Sequence, residues 1–171
     1  MNKKTLFTVK AALIGALYTV LTLVSASMGL AYGGMQFRFS EALTLLPVFT
    51  SAAIPGLTVG CVVSNIFSSV TPLDTVIGSA ATLLAAICSR KTRHITVKGI
   101  PVVSMLFPVL FNALFIGAEI AFFSGEQTLL PVFVTNALSV GAGELAVVAT
   151  LGTALIIFFN KNHRLRDFIS R

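Results

Sequence analysis

The 171-residue sequence predicts an all-α integral membrane protein: one domain over residues 1–171, six transmembrane helical segments, and both termini in the cytoplasm. Two observations carry this reading. Hydrophobic residues make up 56% of the chain and charged residues 11%, with no Trp, whereas ordinary soluble domains carry about 25% charge. The positive charge is also confined. Eleven of the twelve Lys and Arg residues fall in three clusters: Lys3, Lys4 and Lys10; Arg90, Lys91, Arg93 and Lys98; Lys161, Arg164, Arg166 and Arg171. Such clusters between apolar runs mark the cytoplasmic ends of membrane spans. The exception is Arg38, which lies among apolar residues.

Each segment follows from these anchors. The start, Lys3–Lys4 and then an apolar run, has the outline of a signal peptide, but the run from Ala11 outlasts a hydrophobic region of roughly 7–15 residues. It is expected to stay as a first span over about 5–30, with Lys10 snorkelling to the inner headgroups. The cluster at Arg90 then demands an even number of crossings. After Gly33–Gly34 there is room for segments at about 40–50, 54–69 and 74–89, punctuated by Pro47, Pro55–Gly56 and Thr71–Pro72. A full span takes about 20 residues, so these are short, and broken helices are tolerated only beside protein or a water-filled cavity. A cavity is therefore expected beside residues 31–56. The fifth span, about 100–123, runs outward. The sixth, about 128–159, returns and is long enough to project beyond the bilayer.

On this topology Glu41, Asp74, Glu119, Glu126 and Glu144 lie in the outer or middle membrane, and only Asp167 is plainly cytoplasmic. A carboxylate at the bilayer centre costs about 2.5–3.5 kcal/mol on insertion scales. Each is thus a candidate for function unless something neutralises it. At a rise of about 1.5 Å per residue, Asn112 reaches the midplane, with Glu119 about two turns further out on the same face. Asn136 lies in the outer quarter of the last span and Glu144 near its middle. Glu119 and Glu144 are expected to be the principal ligand acids, helped by Asn112, Asn136 and Arg38, with Glu41 and Asp74 nearer the mouth of an outward-opening funnel. Simpler roles stand beside these. Arg38 and Glu41, three apart, can pair with each other; Asp74 after Pro72 can cap a helix; Asn65 can bond across helices. Glu126 beside Gly125 reads as a solvated loop residue. Phe37, Phe39, Phe115 and Phe122 can stack on a flat base or simply pack.

Ala12 and Ala16 form a small-xxx-small face on the first span, with Ala11 and Gly15 one residue over, where another helix can approach closely. Cys61 and Cys88 sit in apolar segments without a CxxC and read as buried hydrophobes. No phosphate-binding GxxxxGK[ST] is present, and the only histidines, His94 and His163, lie in basic segments. ATP hydrolysis by the chain itself, an enzyme, a metal site and a nucleic-acid partner are therefore not expected. A small-solute binding or transport protein is.

The stretch Gln36-Phe37-Arg38-Phe39-Ser40-Glu41-Ala42-Leu43, with Ala53-Ile54-Pro55-Gly56-Leu57 and Gly60-Cys61, resembles the QueT family. Asn65, Asp74, Gly78, Thr82-Leu83-Leu84-Ala85, Asn112 with Glu119, and Gly143-Glu144 continue the likeness, which departs at a glycine-poor Ser68-Ser69-Val70. The resemblance implies an S-component-like six-helix bundle in a prokaryotic cell membrane, the substrate-binding part of an energy-coupling-factor transporter. It implies a queuosine precursor as ligand, queuine or 7-aminomethyl-7-deazaguanine, bound without a cofactor. Its partners would be a membrane scaffold subunit, met by Ala12 and Ala16 as an AxxxA contact, and two ATPases that use the ATP. An S component for another vitamin-like molecule, or a proton-coupled small-solute carrier, is the alternative.

Overall fold

A computed structural model describes residues 2–31, 36–67 and 72–170. The expected break at Gly33–Gly34, the Ser68–Val70 departure, Thr71 and the last basic residue, Arg171, lie outside the described residues. The chain is helical, with no strand among the described residues. Helix α1 covers Lys3–Ser27, α2 Ala53–Ile66, α3 Pro72–Lys91, α4 Val102–Phe123 and α5 Leu129–Val147. A π turn, Val148–Gly152, joins α5 to α6, Thr153–Lys161, and α7 follows at His163–Ser170. Between α1 and α2 lies a 3-10 segment, Phe39–Val48.

Four of these rods are long and apolar enough to cross a membrane: α1, α3, α4 and the continuous 33-residue run Leu129–Lys161. The 3-10 segment and α2 are shorter apolar helices. The 3-10 form suits the segment's position. It rises about 2.0 Å per residue against about 1.5 Å in an α-helix, so ten residues reach about 20 Å. Pro47 inside it has no N–H to give. Its ends are held by side chains from elsewhere. Ser25 Oγ accepts the Phe39 N–H at 2.9 Å, and Thr22 donates to Ser40 Oγ at 2.7 Å. At the far end the Arg90 guanidinium donates to the carbonyls of Pro47 and Val48 at 3.0 and 3.1 Å. A cation there meets the negative end of the helix dipole.

The segment is buried on almost every side, with Leu45 against Val148 and Ile156 of the π turn and α6, and Leu43 and Leu46 against Ile14, Tyr18 and Leu57. The 3-10 segment thus forms the centre of the bundle, with protein packed over its length, while α2 keeps Val59 and Ile66 on the outside. Helices α1 and α2 meet backbone to backbone, because a Cβ on Gly60 would stand 2.7 Å from the Gly15 carbonyl oxygen. Packing this tight is the usual substitute for hydrophobic driving force in lipid. On the opposite side Ser89 and Ser104 exchange hydroxyl-to-carbonyl hydrogen bonds at 2.9 and 3.0 Å, tying the end of α3 to the start of α4.

The short helix α7 was not expected, and it changes the reading of Lys10. That side chain does not snorkel: it is 5% exposed. Its Nζ donates to the Ile169 carbonyl at 3.2 Å and lies 5.3 Å from the Phe168 ring centroid. Helix α7 folds back under α1, and the amine finds its partners there instead of in headgroups.

Candidate ligand-binding site

The acids converge. Arg38, at the entry to the 3-10 segment, Glu41 within it, and Asp74, Glu119 and Glu144 on α3, α4 and α5 are all buried. Glu41 is 1% exposed, and its Oε1 accepts the Tyr18 hydroxyl at 2.6 Å. Glu41 and Glu144 lie within hydrogen-bonding reach of each other, and Asn112 reaches Glu144. Asp74 and Glu119 form a second such pair. Arg38 is within electrostatic reach of all four carboxyls, while its Nε donates to the Ala31 carbonyl at 2.9 Å. Its positive charge therefore serves the whole cluster and is not spent on Glu41 alone.

The depth matching of Asn112 with Glu144 agrees with the geometry. Two other expectations change. Glu41 is not at the mouth; it sits against Tyr18 of the mid-span and against Glu144. Asn136 donates to the Val132 carbonyl of its own helix at 2.8 Å, and Glu119 takes Asp74 as its neighbour.

Local chemistry explains these positions. Glu41 and Asp74 each lie in the first turn of their helix, where the dipole favours a negative charge. Gly143 lets the chain close over Glu144, since a Cβ there would collide with the Gln36 carbonyl. On α1, Tyr18, Thr22 and Ser25 form a polar stripe that holds Glu41, Ser40 and Phe39 in turn. Sequence reasoning passed over Tyr18. Its signal was that stripe at spacings of four and three, together with a phenol far from either membrane surface, where Tyr ordinarily needs a hydrogen-bond partner.

Several buried oxygens in this cluster have no donor among the described residues. They include Glu41 Oε2, Glu144 Oε1 and Glu119 Oε2. An unsatisfied buried polar group costs about 1–3 kcal/mol and more when charged, so these atoms require a proton or a ligand. Beside Glu119, an apolar cleft of about 480 Å³ opens between α3 and α4, lined among others by Leu73, Ile77, Phe115 and Phe122. A second groove, about 540 Å³, runs along the outside of α1 and α2, where Ala12, Ala16, Gly56 and Gly60 face it. Helix α1 thus carries small residues on its outer face and a hydrogen-bonding stripe on its inner one.

Residues 8–161 match the family described as QueT transporter, which is nearly the whole chain. The chain belongs to the QueT transporter family. It is similar to a protein named queuosine precursor transporter QueT from Lactococcus lactis subsp. cremoris, with 38% identity over 83 residues, 48% of each chain. The match thus spans about half the length of that relative. No solved structure matches. Family membership and the apolar helices make this a membrane protein of a transporter family.

Proposed function

We propose that this QueT-family chain is the membrane-embedded substrate-binding component of an energy-coupling-factor importer that takes up a queuosine precursor, queuine or 7-aminomethyl-7-deazaguanine. The observation that carries the reading is the interior with four carboxyls, one guanidinium and carboxamides, held inside a bundle of this family. A deazaguanine edge presents adjacent N–H donors that a carboxylate accepts in pairs, and the amine of the side chain seeks a further acid. An anionic vitamin would find the charge reversed. The proposed contacts are Arg38, Glu41, Asp74, Asn112, Glu119 and Glu144, with Asn136 at the rim.

The chain is read as crossing the cell membrane six times, the two short central helices completing the set, with both termini and the 90–98 loop in the cytoplasm. The α1–α2 groove is the surface for the scaffold subunit, and ATP is hydrolysed by two partner ATPases. No cofactor is bound by this chain. Mass spectrometry of small molecules retained by the detergent-extracted chain tests the ligand, with a 7-deazaguanine expected; recovery of an unrelated vitamin would replace it. Orientation has its own test. With Cys61 and Cys88 replaced, a cysteine at Gln127 should react with an impermeant thiol reagent on intact cells. Labelling only after permeabilisation would invert the topology.

A further inference from the structure

The same interior holds more acid than its one guanidinium can neutralise. The ionisable groups facing it come from separate parts of the chain: Tyr18 of α1, Arg38 just before the 3-10 segment and Glu41 within it, Cys61 of α2, Asp74 of α3, Glu119 of α4 and Glu144 of α5. Four ionised carboxylates against one guanidinium would leave three net negative charges among the described residues. Uncompensated charge of that size is not held in a low-dielectric interior; the groups take up protons. The pairing shows where. Glu41 faces Glu144 and Asp74 faces Glu119 across hydrogen-bonding distance, yet a carboxylate has no hydrogen to give. Among the described residues, Glu144 Oε1, on a residue 5% exposed, and Glu119 Oε2, on one 9% exposed, have no donor.

We propose that the ligand-free chain binds two protons, one shared within each acid pair, which leaves a single net negative charge for a monocationic ligand. Helix geometry assigns the members. Glu41 and Asp74 lie in first turns and remain the anions, Glu41 with the Tyr18 hydroxyl as a further donor. Glu119 lies in the last turns of α4, whose end is Phe123, where the dipole disfavours an anion. Glu144, deep in the middle of the long Leu129–Lys161 run, has no helix terminus to support one. Glu119 and Glu144 therefore carry the protons and donate to Asp74 and Glu41. No bond other than O–H is made, and the protons come from water during folding into the membrane.

This rests on the ligand-binding reading above only for its second half, and the test separates the two. Infrared spectroscopy of the purified ligand-free chain at neutral pH should show the carbonyl stretch of protonated carboxyls. The other two acids, Glu126 and Asp167, are exposed. Glu144→Gln and Glu119→Gln should each remove part of that band. Absence of the band from the unmodified chain overturns the proposal whether or not any variant folds. Calorimetry with 7-aminomethyl-7-deazaguanine and its neutral 7-cyano congener reads the charge count. The cation should bind about 30-fold to several thousand-fold more tightly, with a heat that does not depend on the buffer's ionisation enthalpy. Equal affinities, or heats that track the buffer, overturn the count. If neither compound binds, the ligand reading falls, and the infrared band alone still decides whether the acids hold protons.

Discussion

The two faces of α1 solve opposite problems with the same helix. Outward, Ala12, Gly15 and Ala16 remove side chains to make a groove of about 540 Å³. Inward, Tyr18, Thr22 and Ser25 supply hydroxyls to the 3-10 segment that carries Glu41. The outer face gains its specificity from shape, since lipid tails are as apolar as the groove and hydrophobic burial distinguishes nothing there. The inner face gains it from charge held out of water, where each hydrogen bond is strong and each missing one is costly. On the function proposed above, docking and binding are therefore separable, though one helix would serve both.

The sharpest way to break that comparison is to fill the groove. Ala12→Trp or Ala16→Trp should abolish ATP-driven uptake in cells carrying the coupling subunits, while calorimetry on the isolated chain finds ligand affinity unchanged. Loss of both together would show that the two faces are one mechanical unit. Full uptake in either variant would remove the groove from coupling.

The next largest effect belongs to the interior. Glu41→Gln keeps the shape and the Tyr18 contact but removes a desolvated charge, which costs roughly 2–5 kcal/mol, or about 30-fold to several thousand-fold in affinity for a cationic ligand. Glu144→Gln, replacing an already protonated acid by its near isostere, should cost no more than a few-fold in the same titration. Reversal of that order would exchange the roles of the two residues and sharpen the picture of which acid meets the ligand.

Much of this architecture was legible in the sequence, for physical reasons that also explain what was not. Basic clusters and apolar run lengths report what each segment does against lipid. They located the helices to within a few residues: 74–89 against Pro72–Lys91, 100–123 against Val102–Phe123, and 128–159 against Leu129–Lys161. The cost of burying carboxyls marked Glu119 and Glu144 without any structure. Depth along the two last spans set Asn112 level with Glu144, and the structure makes them neighbours. Hydropathy is silent about which helix a short segment leans on, so Glu41 was expected at the mouth although the 3-10 segment carries it to Tyr18. Nor does the positive-inside rule separate a charge in headgroups from one with a protein partner. Lys10 under α7 and Arg90 on the Pro47 and Val48 carbonyls belong to the basic clusters and yet do structural work.

Tyr18 is where the comparison can be tested from the middle, because it belongs to the groove helix and touches the site. Tyr18→Phe deletes one hydrogen bond to a carboxylate, worth about 1.5–3 kcal/mol, so ligand affinity should fall about ten- to a hundred-fold with the groove intact. Uptake measured at saturating ligand should then recover. Uptake that stays low at saturation would mean that the Tyr18–Glu41 contact also passes the state of the site to the docking face.

The smallest effect is expected at the lower end of α1. Lys10 lies between groove residues Thr8 and Ala11, but its side chain turns away to the Ile169 carbonyl and the Phe168 ring. Lys10→Met keeps the length of the stem and loses, among its contacts, the hydrogen bond to the Ile169 carbonyl and the cation–π contact with Phe168, each about 0.5–1.5 kcal/mol. Hydrogen exchange of the 163–170 amides should quicken about ten-fold, while ligand affinity and uptake stay within two-fold of the unmodified chain. That outcome would confine both functions of α1 to residues 11–25. A large loss of uptake with unchanged affinity would instead extend the docking face down to α7, because α7 is the element that the Lys10 side chain holds in place.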